Sequence, residues 1–505
     1  MNDEQGFASV FSIAEEFSSI EAFAAASSEV YSGSHRMDGE YYGDDGYRAR
    51  QAVVRSRFPT KALHDLVDVY WPGTDGSYSE YKRIYVDDKA YGVPFLSTSQ
   101  MLLARFDDVK YVTRMLTGSM ANLIVHAGQI LLSVSGTIGN TVITNRDFDG
   151  LCVSNDAMRL NPREPEGLGL LFCFLQSQAG RFLLTRNKAG GVVEHLYVDD
   201  VSSLPVPVLP KRLCMELTEL VAKSNELRAR GNQLIDEAIA DVQHQCYLPD
   251  MNHFMPGRTS NAEPLTFIHS AKSRLFPENA GFGERRLDAT YHEPAAVALA
   301  KYIFSHDRGC ELGDVLAAVR NSTLRKRNYV DDPELGVALI GGKQLMQWRP
   351  QGVKYLSKAL TRNLGNETVE DGWTLVSCGG TLGRTMFVHR NFDGCAPSQH
   401  VMRLVPDTAS VFGGFIYAFL ASPYGQVQIA QRSYGSVIQE IRDFQFKSIA
   451  ISLPDDRGEL IHEKIVRAFD ARADAHDIED RALNLFETAI ERGKTYTEAE
   501  WGSEY

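Results

Sequence analysis

The stretch RIYVDDKAYGVPFLSTSQ at residues 83–100 returns 244 positions later as RNYVDDPELGVALIGGKQ at residues 327–344. The same shift relates SVSGTIGNT (133–141) to SCGGTLGRT (377–385), NRDFDG (145–150) to HRNFDG (389–394), and SNDAMRL (154–160) to SQHVMRL (398–404). Blocks kept in one register over such long stretches are not a short solenoid repeat. They predict two homologous domains on one chain, an arrangement that suits a target with two halves.

Composition places the chain among soluble globular proteins. Its 505 residues are too many for one core, and 44% of them are hydrophobic while 23% are charged. No apolar run approaches the roughly 20 residues that span a bilayer, and the N-terminus lacks a secretory pattern. The seven cysteines are scattered singly, which argues against a zinc site or a disulfide framework and favours a reducing cytoplasm.

The net charge of −13 is unevenly distributed along the chain. Residues 1–45 carry a net −9 and residues 474–505 a net −6, so residues 46–473 carry a net +2. The acidity therefore lies at the two ends. The duplicated body is nearly neutral and retains basic loops, so the overall charge does not exclude binding to DNA.

The order of patterns along the chain predicts an α+β fold. Short β-branched and aromatic runs alternate with Gly-, Asp- and Asn-rich turns, as in an irregular, mostly antiparallel sheet. We expect an acidic N-terminal arm (1–35), a first recognition domain (36–210), a first long helix (211–247), a connector (248–285), a second recognition domain (286–455), a second long helix (456–493) and an acidic tail (494–505).

Both long segments have an apolar stripe at helical spacing. Each should pack this stripe against the other in an antiparallel, coiled-coil-like pair that relates the two domains by a pseudo-twofold axis. The predicted seam consists of Leu213, Leu217, Leu220, Leu227, Leu234, Ala238 and Val242 in the first helix, and Ile461, Ile465, Phe469, Ile478, Ala482, Phe486 and Ala489 in the second.

In their order, these motifs resemble those of type I restriction–modification specificity subunits. The resemblance extends over about residues 36–492. It is carried by the RxDxxY opening, the S-x-x-G-T-[IL]-G core, the Leu-Pro strand end and the trailing helix. The residues are Arg36, Asp38, Tyr41, Ser133, Gly136, Thr137, Gly139, Leu209 and Pro210 in the first copy, and Arg286, Asp288, Tyr291, Ser377, Gly380, Thr381, Gly383, Leu453 and Pro454 in the second.

Candidate DNA contacts are the basic side chains on loops where the two copies differ. Phosphates and base edges are read by Arg, Lys and polar side chains on exposed segments, and divergence inside a shared frame suits two different half-sites. The candidates are Arg105, Lys110, Arg114, Arg186 and Lys188 in the first copy, and Arg325, Lys326, Arg327, Lys343, Lys354, Lys358, Arg362 and Arg432 in the second.

Catalytic patterns are missing from the sequence. The GTIG and GTLG segments lack the Lys-Ser/Thr of a phosphate-binding loop, so they indicate tight turns between strands, with direct DNA contact as the alternative. There is no HExxH, GxSxG or GxGxxG motif, and no Pro-Pro step of an adenine methyltransferase. Asp455 and Asp456 precede the second long helix, where acids complement its N-terminus.

The sequence therefore predicts a non-catalytic, cytoplasmic recognition subunit for double-stranded DNA. The resemblance implies a bipartite site and two methyltransferase subunits that bring S-adenosylmethionine, with a translocating nuclease in larger assemblies; it implies no cofactor on this chain and no membrane. Two alternatives stay open. One is an enzyme with an unrecognised site, and the other is a scaffold or DNA mimic of a defence system whose acidic ends bind proteins.

Overall fold

A computed structural model describes residues 51–54, 56, 58–72, 83–107, 109–115, 118–186, 195–255, 288–323, 326–435 and 438–492. The predicted N-terminal arm, the acidic tail, most of the connector and the motif residues Arg36, Asp38, Tyr41 and Arg286 lie outside these residues. The described chain forms two units. The first draws on residues up to 102, on 106–226 and on residues from 475, and the second on 103–105 and 227–474.

In the first unit, strands and short turns predominate between residues 60 and 207. The strands are β1 (Thr60–Ala62), β2 (Val67–Tyr70), β3 (Tyr85–Val86), β4 (Gly92–Leu96), β5 (Lys110–Thr113), β6 (Ile130–Ser133), β7 (Thr141–Ile143), β8 (Cys152–Val153), β9 (Ala157–Pro162) and β10 (Pro205–Pro207). They form one sheet of order β2-β9-β6-β7, a second of order β3-β5-β4-β8, and the pair β1-β10.

The second unit repeats this arrangement. Its strands are β11 (Gly309–Glu311), β12 (Leu316–Arg320), β13 (Tyr329–Val330), β14 (Gly336–Ile340), β15 (Lys354–Ser357), β16 (Thr374–Ser377), β17 (Thr385–Phe387), β18 (Ala396–Pro397), β19 (Val401–Pro406) and β20 (Ala450–Ser452). Their orders are β12-β19-β16-β17, β13-β15-β14-β18 and β11-β20. The two units therefore share one sheet topology.

The 244-residue shift also holds in the strand registers. In the first unit Phe95 pairs with Cys152 in the parallel ladder of β4 and β8, and Leu339 pairs with Ala396 in the ladder of β14 and β18. The other ladders between these strands are antiparallel. The mixed helix-and-sheet composition predicted from the sequence is thus confirmed.

Helices pack beside the sheets and at the end of each copy. They are α1 (Leu63–Leu66), α2 (Leu168–Gln176), α3 (Gln178–Arg186), α4 (Val198–Ser202), α5 (Lys211–Gln245), α6 (Pro294–Phe304), α7 (Gly342–Leu345), α8 (Gly413–Ala421), α9 (Pro423–Arg432), α10 (Asp443–Lys447) and α11 (Glu459–Arg492). Asp456 caps α11, since its carboxylate accepts hydrogen bonds from the N–H groups of Gly458 and Leu460. Asp455 instead binds Tyr247 and Arg308.

In the first unit, the beginning of α5 packs with the end of α11. Leu213 and Leu217 share a buried core with Ala482 and Phe486, and the Ser224 hydroxyl donates a 2.8 Å hydrogen bond to the Ala475 carbonyl. This core also contains α2 and the inward side chains of β6 and β9. The sheets of the first unit therefore pack directly against a helix pair.

In the second unit, the end of α5 packs with the beginning of α11 in the antiparallel sense. Lys464 forms an ion pair with Asp241, and Arg472 donates a 2.6 Å hydrogen bond to the Asn232 side-chain oxygen. A Cβ at Gly231 would lie 2.8 Å from the Ala468 carbonyl oxygen, so glycine permits the close approach of the helices there. Leu103–Arg105 belong to this unit too, where Leu103 bridges to Gln347.

Most of the apolar side chains predicted to form the helix seam are buried. Leu220, Leu227 and Ile478 are partly exposed, and the others are fully buried within their own unit. Among the described residues no single helix has the length and apolarity to cross a membrane; one bent pair, Pro165–Gln176 with Gln178–Thr185, meets the criterion by length and composition only.

Candidate nucleic-acid interface

An exposed tyrosine–lysine pair occurs at the same place in both copies. On β3 and β5, the Lys110 ammonium lies 5.3 Å from the centre of the Tyr85 ring. On β13 and β15, the Lys354 ammonium lies 5.2 Å from the centre of the Tyr329 ring. Strand pairing explains the geometry, because residues diagonal across an antiparallel ladder share a face. Each unit thus holds a cation on an aromatic ring, with both side chains open to solvent.

A second shared pair consists of an arginine and a side-chain amide. The Arg83 guanidinium donates a 2.9 Å hydrogen bond to the Asn155 side-chain oxygen, and Arg327 donates to the side-chain oxygen of Gln399 at the equivalent positions. Arg83 also lies over the Phe95 ring, 4.9 Å from its centre. These contacts orient the guanidinium before any ligand arrives, as recognition of a planar acceptor pair requires.

Two more predicted residues, Arg114 and Lys358, anchor equivalent turns. The Arg114 side chain donates a 3.0 Å hydrogen bond to the Ala90 carbonyl, and the Lys358 ammonium donates a 3.0 Å bond to the Glu334 carbonyl. Their residual donors remain solvent-exposed. Lys110, Arg114, Arg327, Lys354 and Lys358 are therefore gathered around one small sheet in each unit.

The other predicted contacts are more dispersed. Lys326, Lys343 and Arg362 are exposed in the second unit, Lys343 on α7 and the other two in loops. Arg186 is the last residue of α3. Lys188 and Arg325 lie outside the described residues. For all of these a DNA contact stays a prediction.

Arg432 is not the exposed basic residue that the sequence predicts. Its side chain lies at the end of α9 and the residue is only 8% exposed. The guanidinium donates to the Ser448 carbonyl (2.6 Å), the Ser448 hydroxyl (3.1 Å) and the Gln431 side chain (2.9 Å). Burial lowers the pKa of Arg432 to about 10, so it stays protonated at neutral pH. The residue holds α9 against the segment after α10.

Arg105 is likewise a structural arginine rather than part of an open basic loop. Its side chain is 12% exposed and forms a 2.7 Å ion pair with Asp236 on α5. It also donates a 3.3 Å hydrogen bond to the Asn232 carbonyl. The Ala104 carbonyl accepts a 2.8 Å hydrogen bond from the Asn232 side chain, so the loop is held against α5 within the second unit.

The GTIG and GTLG segments are turns of two equivalent hairpins, as predicted. Gly136 and Gly139 have φ values of 72° and 86°, and the Ser133 hydroxyl donates a 2.6 Å hydrogen bond to the Thr137 carbonyl. Ser377 makes the same 2.6 Å bond to Thr381 in the second unit. The serine thus closes the loop from within, which explains its recurrence with the two glycines.

The sequence reasoning missed Arg83, the tyrosines and the two amides. Arg327 was predicted because it lies in a visibly basic run, whereas Arg83 stands alone. The signal that finds Arg83 is the 244-residue shift itself, which relates Arg83 to Arg327 and Asn155 to Gln399. Among the described residues no group of His, Cys, Asp and Glu side chains is arranged to hold a metal ion.

His389 connects the sheet-containing part of the second unit to α11 through two carboxylates, those of Asp371 and Asp470. One ring nitrogen lies 2.7 Å from Asp371 and the other 2.9 Å from Asp470, so both nitrogens donate when the ring is protonated. Burial opposes the charge on the ring, but the hydrogen bonds and charges of the two aspartates outweigh it and raise the pKa of His389. Arg390 adds a 2.7 Å ion pair to Asp474.

This arrangement predicts a pH-dependent stability. A raised pKa stabilises the folded state below the unfolded value of about 6.5, and the stabilisation is lost as the pH rises through the folded pKa. We expect His389→Asn, the residue found at the equivalent Asn145, to remove on the order of 1 kcal/mol at about pH 6 and little at about pH 9. Urea unfolding at both pH values measures this, and an equal loss at both would contradict it. Burial, and to a lesser extent the charge on His389, lowers the pKa of His462, so His462 contributes to the pH dependence with the opposite sign.

Solved structures similar to the chain come from type I restriction systems. The S subunit of a type I restriction–modification system from M. genitalium covers 87% of this chain and 96% of its own, with 12% identity and a TM-score of 0.33. The HsdS subunit from Thermoanaerobacter tengcongensis covers 86% and 96%, with 13% identity and a TM-score of 0.26. A chain from work on complex assembly in the type I R-M system covers 86% and 97%, with 13% identity and a TM-score of 0.25.

The first two structures are S subunits of type I systems, the same family whose motifs the duplicated blocks resemble. No protein-family model matches the chain, and no curated protein matches its sequence. Because the TM-scores are all below 0.5, a function for this chain has to be argued from its own residues.

Proposed function

We propose that this chain is the sequence-specific DNA-binding subunit of a type I restriction–modification complex or a related phage-defence complex. It reads a bipartite site, one half with each unit, and performs no chemistry itself. The observation that carries this proposal is the duplicated surface of oriented cations. Arg83, Tyr85 and Lys110 in one unit correspond to Arg327, Tyr329 and Lys354 in the other, with the same contacts in both.

The shared residues of this surface suit phosphate contact, and the divergent residues suit base recognition. A Lys ammonium on a Tyr ring recurs unchanged and fits a contact that every DNA offers, the phosphate backbone. The amide beside the arginine differs, Asn155 in one unit and Gln399 in the other, and so does the ring or aliphatic group at Phe95 and Leu339. Differences of this kind fit two half-sites of different sequence, because protein side chains of different length and hydrogen-bonding pattern select different bases.

The two long helices set the distance between the two DNA-binding surfaces. We propose that α5 and α11 form one antiparallel, coiled-coil-like pair and that the units are related by a pseudo-twofold axis. Supporting this, each unit contains an antiparallel segment of the two helices, and Leu103 bridges to Gln347, its equivalent by the 244-residue shift. Two methyltransferase subunits would bring S-adenosylmethionine and dock beside the helices in the cytoplasm, and a restriction or translocase subunit would complete a nuclease.

Methylation mapping tests the proposal. DNA from cells expressing the chain with its neighbouring methyltransferase should carry methyl groups at a motif of two short specific halves separated by unread bases. Deletion of this chain alone should abolish the pattern. Methylation that persists without the chain, or methyl transfer or DNA cleavage by the purified chain alone, would contradict the assignment. Salt-sensitive binding to a basic protein, with no DNA dependence, would favour the scaffold or DNA-mimic alternative.

Single arginine variants test whether each unit contacts one half-site. We expect Arg83→Ala to weaken binding of the assembled complex about tenfold through one half-site, and Arg327→Ala to do so through the other, because a well-placed arginine contributes about 1–3 kcal/mol of base discrimination. Fluorescence anisotropy with one half-site scrambled at a time assigns each effect. The matched control is Arg163→Ala, an exposed arginine paired with Asp68 on another sheet. Equal losses on unrelated DNA would indicate phosphate contact only.

A further inference from the structure

The turns that follow β3 and β13, Asp88–Tyr91 and Asp332–Leu335, have the same set of hydrogen bonds, and we call them the clamped turns. In the first, the Asp88 carboxylate accepts a 2.9 Å hydrogen bond from the Ala90 N–H, and in the second Asp332 accepts one of 2.9 Å from the Glu334 N–H. At the opposite end, the N–H groups of Arg114 and Lys358 donate to the carbonyls of Tyr91 and Leu335.

The clamp extends to the side chains and to the next residue. Arg114 and Lys358 also bind the carbonyl of the preceding turn residue, as described above. A glycine follows each turn, and a Cβ there would lie 2.5 Å from the Tyr111 Cβ at Gly92 and 2.4 Å from the Tyr355 Cβ at Gly336. The backbone at Tyr91 and Leu335 is therefore held from both sides in the same position in each unit.

The clamped turns expose apolar side chains to solvent. The Tyr91 side chain is 69% exposed and Leu335 is 60% exposed. Just after the residues that bond the turns, each unit exposes another large apolar side chain: Met115, 83% exposed, follows Arg114, and Leu360, 65% exposed, lies two residues after Lys358. Scattered exposed apolar residues are ordinary, but the same exposure at equivalent, clamped positions of both copies is the mark of a contact surface.

The charges around the turns favour the floor of a DNA groove over the phosphate backbone. The exposed Asp87 and Asp331 stand beside the caps, and carboxylates repel phosphates but accept hydrogen bonds from cytosine amino groups. Cations flank the turns: Lys110 and Lys354 on the neighbouring strand would meet the flanking backbone, and the Lys89 ammonium in the first turn lies 5.5 Å from the centre of the Tyr111 ring. An apolar side chain between them can contact a thymine methyl group or the edge of a base step.

We propose that Tyr91 and Leu335 are specificity-determining residues, each placed by its clamped turn against base edges of one half-site. The inference rests on the proposed function and deepens it. Because the frame is shared and the side chain differs, the two positions read different bases from the same geometry. Leu335 makes an apolar contact alone, whereas the Tyr91 hydroxyl adds a donor and an acceptor.

The test measures binding of the assembled complex to its mapped site and to all single-base substitutions of that site. We expect Leu335→Ala to weaken binding to the intact site about tenfold and to reduce discrimination at one or two adjacent base pairs of one half-site, with Tyr91→Ala acting on the other half. The reciprocal variants Leu335→Tyr and Tyr91→Leu keep a large side chain on each clamped turn, and they should change the preferred base at the affected base pairs. Phe444→Ala and Tyr70→Ala, at exposed residues away from the turns and the long helices, are the controls and should leave discrimination unchanged.

Three results would overturn the inference. They are unchanged discrimination in all four turn variants, equal loss on specific and unrelated DNA, and loss of methyltransferase association with discrimination intact. The last would assign the turns to a protein partner. The proposed function itself fails in a different measurement, when the unsubstituted complex shows no bipartite preference. Melting temperatures of the variants confirm that the exposed positions have been changed without unfolding.

Discussion

Replacing Glu367 by leucine is expected to destabilise the second unit by about 3–5 kcal/mol. Glu367 and Arg403 are each only 2% exposed, and their charged groups lie 3.4 Å apart. Arg403 also donates 2.8 Å hydrogen bonds to the carbonyls of Asn366 and Asn321, and Glu367 accepts from the Thr323 N–H. Burial lowers the pKa of Arg403, and the Glu367 charge opposes that shift. Without the carboxylate, a guanidinium is left buried without its countercharge.

Urea unfolding of the full chain measures the effect as a lower midpoint and a smaller free energy of unfolding. The exposed neighbour Glu370 provides the matched control, since Glu370→Leu should change stability by less than about 0.5 kcal/mol. A double variant, Glu367→Leu with Arg403→Met, should recover most of the loss because neither charge remains buried. A loss below about 1 kcal/mol in Glu367→Leu, or no recovery in the double variant, would show that the ion pair does not hold this core together.

The comparison with the first unit shows what the repeat predicts and what it leaves open. Arg159 occupies the position of Arg403 and is also buried, as the shared AMRL and VMRL blocks predict. Leu123, however, stands where the second unit has Glu367, and the Arg159 guanidinium donates to main-chain carbonyls, including those of Leu123 and Val153. The sequence register identifies equivalent positions, but two copies can stabilise the same buried charge with different acceptors.

Helix periodicity and sheet duplication were readable for a similar reason. Both follow from spacings that can be read directly along the sequence: the stripe from Leu213 to Val242 predicts a buried helix face, and the 244-residue shift predicts equal strand orders. The surroundings of an individual side chain cannot be read from such spacings. Lys110 and Arg432 are both predicted as exposed basic residues, yet one lies on an exposed strand and the other inside the fold. Whether a basic side chain faces water depends on the partners that the folded chain provides, which for Arg432 are Gln428, Gln431 and Ser448.

For Arg432 this difference predicts a loss of stability rather than of DNA affinity. Arg432→Met should destabilise the second unit by about 3 kcal/mol, because it removes charge-assisted hydrogen bonds and leaves the Ser448 carbonyl without that donor. Arg432→Lys should lose about 2 kcal/mol, since an ammonium cannot replace the forked contacts to Ser448 and Gln431. Chemical unfolding provides the measurement.

DNA binding of the same variants then separates the two roles of arginine in this chain. At a temperature where Arg432→Lys is folded, its affinity for the specific site should stay within about threefold of the unsubstituted protein, whereas Arg327→Ala, with near-normal stability, should lose about tenfold. The opposite result, intact stability and a selective loss of binding in Arg432→Lys, would mean that α9 opens to admit DNA. Four hydrogen bonds from the Arg432 guanidinium to Gln428, Gln431 and Ser448 would have to break for that to happen. The energy of those bonds is the physical reason to place the reading surface on the small sheets, where Arg83 and Arg327 each lie beside a single amide.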